Sequence, residues 1–282
     1  MTMRTLLILM FCVGFNSLSY AQEQSMEAGM FIGVSNYLGD LQQVRFEKDE
    51  LHLAMGAFIR ANLSRHFAVK AHFYKGHISG TDEHYEGLLV RERNLHFRSP
   101  LYEIGLQGEL TFLNFGERQQ RIAAPYCFLG VAGFFFNPQA RYQGEWIDLQ
   151  PLGTEGQGLP EYPDRERYSL RQLSIPFGIG FNVWVGQNTN LGFEIGFRKT
   201  FTDYLDDIST TYPDLEVLAE SNPVAAALSY RTPEYTPDAA PNPMGQLRGS
   251  SGKDIYFFGG ITISTVIDRQ YKSDPVYRGP KR

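Results

Sequence analysis

Large apolar residues alternate with glycine and polar residues along much of this sequence. In the run from Leu191 to Arg198, every odd position is large and apolar, and every even position is glycine or charged. A period of two residues is typical of a β-strand, because successive side chains point to opposite faces. The chain is therefore predicted to fold as strands that each have one strongly apolar face.

Eight segments follow this pattern, and their length distinguishes them from ordinary strands. Each is roughly 9–15 residues long, against about five or six in a soluble sheet, and a tilted strand of that length crosses a hydrocarbon layer. No apolar run after residue 22 is long enough for a transmembrane helix. The predicted strands are 26–34, 51–63, 66–76, 101–113, 126–136, 171–185, 190–200 and 254–266.

The connections between these strands alternate in length. Successive connections of an up-and-down barrel lie on opposite rims, and outer-membrane barrels have short periplasmic turns and long extracellular loops. The long connections are predicted at 35–50, 77–100, 137–170 and 201–253. A soluble ligand-binding barrel is the alternative, but its hairpin loops are mostly short. The sequence therefore predicts an all-β fold, an eight-stranded antiparallel up-and-down transmembrane β-barrel in the cell outer membrane, with both termini in the periplasm.

The two ends of the chain are predicted to lie outside the barrel. Residues 1–21 are typical of a secretory signal peptide, with a positive charge before an apolar run and with Ser19 and Ala21 at the cleavage site. The barrel is assigned to 22–267 and a basic periplasmic tail to 268–282, which has five basic and two acidic residues. Such a tail either docks on an acidic partner or stays solvated.

A membrane barrel turns its apolar face to lipid, so the polar face of each strand is predicted to line the interior. Eight strands leave an interior that side chains about fill, which predicts a polar plug without an open pore. The predicted inward residues are Glu27, Arg60, Lys70, His72, Gln107, Glu109, Asn182, Glu194 and Arg198. Aromatic residues near the strand ends are predicted to form an interfacial girdle. They are Tyr74, Tyr102, Phe115, Tyr126, Phe135, Trp184, Phe201 and Tyr256.

Catalytic and nucleic-acid-binding patterns do not stand out. A formal net charge of −5 argues against a nucleic-acid partner, which selects a basic face. Metalloprotease, paired-cysteine and nucleophile-elbow motifs are absent, so the chain is predicted to be no enzyme and to need no metal or cofactor. Ser79 lies near His77 and Glu83, which is only a weak indication of a surface hydrolase. The three aspartates in 203–207 are predicted to be solvated or paired with arginine rather than bound to a cation.

Five stretches of the sequence form a long and specific pattern. They are 36–41, 93–98, 150–160, 175–180 and 191–212. Over nearly the whole mature chain they resemble the PorG-like outer-membrane barrels of the Bacteroidetes phylum. The resemblance implies a part in the type IX secretion apparatus, in contact with outer-membrane lipids and with the periplasmic ring of the lipoprotein PorK and of PorN. In the signature loops it singles out Gly153, Glu155, Gly156, Asp203, Tyr204, Asp206 and Asp207.

Three functions are compatible with these patterns. The first, favoured by the resemblance and by the charged interior, is a non-catalytic barrel that anchors or scaffolds a secretion complex. The second is a passive small porin or a ligand-binding barrel, and the third is a surface hydrolase. The segment 222–248 departs from the family pattern, and its five prolines within 21 residues predict a flexible extracellular loop without helix or strand.

Overall fold

The computed structural model describes residues 24–42, 48–84, 87–112, 123–185, 188–240, 244–250 and 252–270. The strands in these segments are β1 (Gln24–Leu38), β2 (His52–Asn62), β3 (Phe67–Thr81), β4 (His96–Thr111), β5 (Ala123–Phe136), β6 (Gln139–Tyr142), β7 (Glu145–Asp148), β8 (Arg171–Val185), β9 (Thr189–Thr200) and β10 (Ile255–Gln270). The α-helices are α1 (Leu88–Arg93), α2 (Leu215–Ser221), α3 (Pro223–Ser229) and α4 (Thr232–Tyr235), and a 3-10 turn spans Asp82–His84.

Eight of the strands close into one antiparallel barrel. Their order is β3-β2-β1-β10-β9-β8-β5-β4, and pairing of β3 with β4 closes the ring. The end of the barrel that carries the long connections is termed the outer end. β6 and β7 form a hairpin at this end of β4, where Arg98 pairs with Gln139. The predicted eight-stranded antiparallel barrel is confirmed, and its closure removes the free sheet edges that hydrocarbon does not tolerate. No helix in the described ranges has the length and apolar character to cross a membrane.

The barrel strands match the predicted segments but extend further at their outer ends. β1 continues to Leu38, β3 continues to Thr81, and β4 begins at His96. The long connections therefore span 39–51, 82–95, 137–170 and 201–254. On β3 the exterior face of the extension is polar, with His77 and Ser79 in the phase of the lipid-facing Phe73. The alternation that marks a lipid-facing strand ends there, so the sequence pattern underestimates the strand length.

The two faces of the barrel differ in polarity. Exterior side chains are large, apolar and exposed, with Met30 at 66%, Ile104 at 69% and Leu173 at 67%. Interior side chains include the charged residues Arg60 and Arg198, which are buried. A soluble barrel has the reverse arrangement, with its apolar face inside around a ligand. The structure therefore rules against the soluble alternative.

Glycines on the inner wall make room for large interior rings. Gly178 on β8 is the register partner of Gly196 on β9, and the ring of Phe128 lies against both. A Cβ would lie 2.7 Å from Phe128 Cζ at Gly178 and 2.4 Å from it at Gly196. Glycine at these two positions thus provides the space that the Phe128 ring occupies inside a narrow barrel.

The segment predicted to be flexible contains helices instead. Pro223 occupies the first position of α3, where its missing N–H and fixed φ are compatible with a helix. The side chain of Asn222 caps this helix, since its Oδ1 accepts hydrogen bonds from the backbone N–H groups of Val224 and Ala225. The prediction of a loop without helices over 222–248 is therefore wrong, because proline disfavours helix interiors but not helix starts.

Both predicted terminal segments lie largely outside the described residues. The predicted signal peptide, 1–21, and residues 271–282 of the predicted tail are outside the described ranges. Phe115 of the predicted girdle and the prolines at 241 and 243 are also outside them. β10 continues to Gln270 and pairs there with Gln24. The first three residues of the predicted basic tail thus belong to the barrel, so the predicted boundary at 268 falls too early.

Candidate functional site

Five charged side chains form one ion-paired chain inside the barrel. Arg60 lies between two carboxylates, with its Nη1 3.2 Å from Glu27 Oε2 and its Nε 2.9 Å from Glu109 Oε2. Lys70 Nζ lies 3.6 Å from Glu109 Oε1 and contacts Glu194 Oε2 directly. The strand register produces this arrangement, because Arg60 is opposite Glu27 on one side and Lys70 on the other. Two cations and three carboxylates are thereby buried together.

A second buried group lies closer to the outer end of the barrel. Arg198 Nε is 3.2 Å from Glu103 Oε2, and His72 Nε2 is 2.8 Å from Glu103 Oε1. The hydroxyl of Tyr256 donates to Glu103 Oε2 at 2.7 Å. Glu103 is missing from the predicted interior set, although it shares the odd numbering of Glu109 on the same strand. The period of two was thus a sufficient signal for this residue.

The structure places the charged residues predicted for the lumen in these two groups. Each of them is at most 3% exposed: Glu27, Arg60, Lys70, His72, Glu109, Glu194 and Arg198. Gln107 is buried with them, whereas Asn182 is half-buried at the short-turn mouth. A polar recess there, lined by Asn182, Asn190 and Trp184, has a volume of about 30 Å³, which is room for about one water molecule. The described part of the interior is thus filled by paired side chains.

The predicted aromatic girdle is wrong for four of its members. Tyr74, Tyr126 and Tyr256 are 0–2% exposed and point into the barrel. Tyr126 donates its hydroxyl to Glu194 Oε2 at 2.8 Å, and Tyr74 donates to Glu194 Oε1 at 3.3 Å. Trp184 lines the recess at the short-turn mouth. The position within the alternation, and not nearness to a strand end, decides which face a ring occupies. The other described members, Tyr102, Phe135 and Phe201, lie on the exterior.

The described residues of the four long loops pack over the outer end of the barrel as a layer termed the outer cap. Its loops are 39–51, 82–95, 137–170 and 201–254. Arg248 is buried at its centre, with Nη1 3.5 Å from Glu155 Oε1 and 3.2 Å from Thr154 Oγ1. The same nitrogen donates to the carbonyl oxygen of Asp207 at 2.7 Å and lies 3.9 Å from Asp207 Oδ2. One arginine therefore joins two long loops, and Asp207 is arginine-paired.

Glu155 links the signature loop 137–170 to the signature loop 201–254 through hydrogen bonds. Its carboxylate accepts hydrogen bonds from the backbone N–H groups of Ser209 and Thr210, both at 3.0 Å, and from Thr210 Oγ1 at 2.6 Å. Gly153 and Gly156 flank it with φ angles of +66° and +84°. Glycine adopts these left-handed angles without the steric cost that a Cβ brings. The two glycines thus allow the tight turns that present Glu155 to the neighbouring loop.

The remaining signature residues pack into the same cap. Asp206 accepts a hydrogen bond from the hydroxyl of Tyr37 on β1, and Asp203 accepts one from Ser209 Oγ at 3.0 Å. The ring of Tyr204 stacks on that of Tyr168, with centroids 4.6 Å apart. Across the described ranges, no group of three histidine, cysteine or acidic side chains is arranged to hold a metal ion. The signature residues therefore connect the loops to one another.

Arg93 joins a third and a fourth loop to this network. It forms a bidentate pair with Asp82, with Nε donating at 2.8 Å and Nη2 at 2.6 Å. Its Nη1 donates to the carbonyl oxygen of Arg248 at 2.6 Å, and its Nη2 to that of Asp40 at 3.1 Å. Hydrogen bonds to charged groups are roughly twice as strong as neutral ones. Such bonds thus link all four loops into one layer.

Buried carboxyls make the outer cap sensitive to pH. Burial raises the pKa of Asp207 to about 6, although the Arg248 guanidinium acts in the opposite direction. Burial also raises the pKa values of Asp206 and Asp254 well above their ordinary value. A carboxyl with a higher pKa in the folded chain binds protons more tightly there, so its contribution to stability falls as the pH rises. For Asp207 the loss occurs between its ordinary value of 3.8 and about 6.

The outer cap is therefore expected to open more readily at pH 8 than at pH 5. For Asp207 alone the difference amounts to about 1–2 kcal/mol. The measurement is hydrogen exchange at the amides of Ser209 and Thr210, corrected for the intrinsic effect of pH. Asp207→Asn should flatten this dependence, since asparagine also tolerates the φ of +66° at this position. An equal opening free energy at both pH values in the wild type would contradict the expectation.

The structure brings Ser79 to a different histidine from the predicted one. Ser79 Oγ is hydrogen-bonded to His52 Nε2 and donates to Glu50, whereas His77 and Glu83 are not part of this group. In a serine hydrolase, the acidic side chain is hydrogen-bonded to the imidazole, and the serine hydroxyl donates to the other nitrogen of the imidazole. Here Glu50 holds the hydroxyl itself, so the group lacks the arrangement that activates a serine.

These features define the class of the protein, which is a small transmembrane β-barrel with a charged, filled interior. The chain belongs to the family described as Domain of unknown function (DUF6089), whose model matches residues 4–223. Comparison with curated proteins finds no match.

Several solved structures are similar in fold at low sequence identity. The N-terminal β-barrel domain of Pseudomonas aeruginosa OprF is 9% identical with a TM-score of 0.36, over 87% of this chain and 100% of that one. Ail, the attachment invasion locus protein of Yersinia pestis, is 9% identical with a TM-score of 0.37, over 89% and 100%. Neisserial surface protein A is 7% identical with a TM-score of 0.40, over 86% and 96%.

Proposed function

We propose that this protein is a closed, non-catalytic outer-membrane barrel that anchors or scaffolds the type IX protein secretion apparatus. The observation that carries the proposal is the ion-paired interior, which fills the described lumen beneath the outer cap. A barrel that is filled and covered conducts neither cargo nor solutes, so its function is exerted by its surfaces. The resemblance of the signature loops to PorG-like barrels supports the choice of this apparatus.

The height of the apolar exterior supports a place in the outer membrane. Along β4 and the residue that follows it, exterior residues run from Tyr102 to Phe112. Ten steps of about 3.4 Å at a tilt of about 45° span about 24 Å, close to the apolar band of about 25 Å on outer-membrane barrels. In this placement the long loops are extracellular, and the short turns and both termini face the periplasm.

The periplasmic partners are proposed from the sequence resemblance and from charge. The resemblance implies contact with a periplasmic lipoprotein and with ring proteins of the apparatus. Residues 271–282, after β10, include four basic side chains against one acidic one. A segment of this charge at the periplasmic rim suits an acidic surface on a ring protein.

Cross-linking in native membranes, followed by purification of the barrel, tests the assignment. The expected result is recovery of the periplasmic lipoprotein and ring proteins, together with loss of secretion when the gene is deleted. Deleting 271–282 should reduce their recovery while the amount of barrel in the membrane stays constant. Normal secretion without the gene, together with no ring protein cross-linked to the wild-type barrel, would refute the proposal.

The purified wild-type barrel is expected not to conduct ions across planar lipid bilayers. The two buried ion-pair groups occupy its interior, and moving them apart would leave charges unpaired in a low-dielectric environment. A general porin inserted into the same bilayers serves as the positive control. Stable, uniform conductance steps from the wild-type protein would instead favour the passive porin.

A further inference from the structure

An apolar recess opens on the exterior of the barrel, near its outer end. It crosses the neighbouring strands β3, β4, β5 and β8 and has a volume of about 940 Å³. The register aligns Phe73, Ile104, Gly133 and Leu173 in one row across these strands. A Cβ at Gly133 would meet nothing within 4 Å, so the row has a gap between Ile104 and Leu173. The gap lies in the surface that faces lipid.

The next row toward the outer end carries cations and aromatic rings. It consists of Lys75, Tyr102, Phe135 and Arg171, which are register neighbours on the same four strands. Lys75 Nζ lies 5.5 Å from the centre of the Tyr102 ring, and the rings of Tyr102 and Phe135 are 6.2 Å apart. Three strand spacings of about 4.8 Å place the Cα atoms of Lys75 and Arg171 about 14 Å apart. The Lys75 side chain reaches across the neighbouring strand toward Tyr102, which shortens the distance between the two charged groups.

Both cations are available to a ligand. Within the described ranges, neither Lys75 nor Arg171 forms an ion pair with an acidic side chain. Lys75 lies over the Tyr102 ring, and the backbone N–H of Arg171 donates a hydrogen bond to Ser169 Oγ. Both side chains are exposed. Cations at the membrane interface attract anionic headgroups, and a phosphate accepts strong, charge-assisted hydrogen bonds from arginine and lysine.

We propose that this recess binds an anionic phospholipid, with an acyl chain in the gap at Gly133 and the phosphate at Arg171 and Lys75. The apolar lining of the recess faces lipid, so the molecules beside it in a membrane are lipid acyl chains. An acyl chain that fills the gap gains dispersion contacts that an empty gap loses. The two cations at its outer edge argue for a negatively charged headgroup. The inference concerns the lipid-facing surface and does not depend on the proposed role in secretion.

Native mass spectrometry of the wild-type barrel tests this site. The protein is extracted in micelles that contain equal amounts of phosphatidylglycerol and phosphatidylcholine with the same acyl chains. We expect retention of one phosphatidylglycerol per barrel, in about tenfold preference to phosphatidylcholine. Arg171→Gln and Lys75→Gln should each reduce this preference. Gly133→Leu should abolish retention, since a Cβ at this position meets no protein atom within 4 Å and the leucine side chain would occupy the gap.

Two controls keep the result interpretable. Lys199→Gln removes another exposed exterior cation, outside the recess, and should leave retention unchanged. The gel mobility of the folded barrel should be the same for Gly133→Leu as for the wild type.

Four results would overturn the proposal. The first is equal retention of both lipids by the wild type, and the second is full retention of phosphatidylglycerol by Gly133→Leu. The third is displacement of phosphatidylglycerol by glycerol 3-phosphate at the concentration at which phosphatidylglycerol binds, which would mean that the cations hold a phosphate without an acyl chain. The fourth is a wild-type dimer that disappears in Gly133→Leu, which would assign the recess to a second copy of the chain.

Discussion

Replacing Glu194 with alanine is expected to lower the free energy of unfolding by about 3–5 kcal/mol. The buried carboxylate contacts Lys70 Nζ and accepts the hydroxyl of Tyr126 at 2.8 Å. Without it, the nearest carboxylate to Lys70 in the described ranges is that of Glu109, at 3.6 Å, and the hydroxyl of Tyr126 loses its acceptor. Removing one member of a buried pair leaves an uncompensated charge, which costs more than the pair itself contributes. Reversible urea unfolding of the barrel in lipid vesicles measures the loss.

A double variant separates the charge effect from the loss of packing. Lys70→Met with Glu194→Leu should recover much of the stability, because no buried charge then lacks a partner. Lys199→Ala on the exterior should change the free energy of unfolding by no more than about 0.5 kcal/mol. Unfolding of Glu194→Ala at the wild-type urea concentration would refute the importance of this pair.

Arg248→Met is expected to release the outer cap while the barrel stays closed. The arginine supplies the cation near Glu155 and Asp207 and donates to the carbonyl oxygens of Asp207 and Ser229. Its loss leaves two buried carboxylates without their cation, at a cost of about 3–5 kcal/mol to the local stability of the cap. Amide exchange at Ser209 and Thr210 should therefore accelerate by about a hundredfold or more.

The exposed Arg141 provides the matched control for this variant. Arg141→Met should leave the amide exchange rates of Ser209 and Thr210 unchanged. If Arg248→Met unfolded the barrel and the cap together, the cap would not be a separate unit of stability. Unchanged exchange at Ser209 would show that other contacts hold the loops.

The strands were predictable because lipid imposes one rule on all of them. Leu191, Phe193 and Ile195 must face hydrocarbon, and this alone fixes the inward direction of Glu194. The same rule identifies Glu103 as an interior residue, and it places Tyr74 inside, because Tyr74 shares its face of β3 with Lys70 and His72. The error arose from assigning rings by their distance from the strand ends.

The outer cap was not predictable in the same way. Its connections join residues far apart in the sequence, such as Glu155 with Thr210 and Arg248 with Asp207. No period relates these positions, since a loop in water has no single solvent-facing side. The glycines and acidic residues of the signature loops mark a tight and charged structure, but not which loop each side chain reaches.

The distribution of ion-pair partners along the chain determines how the protein can enter a bilayer. Lys70 in the first half is neutralised by Glu194 near the end, and Glu103 similarly depends on Arg198. A lone lysine or arginine at the bilayer midplane of a barrel costs about 2–4 kcal/mol. Early hairpins that crossed alone would carry such charges through hydrocarbon. Insertion of all eight strands together avoids this cost, because every buried charge then enters the membrane with its partners.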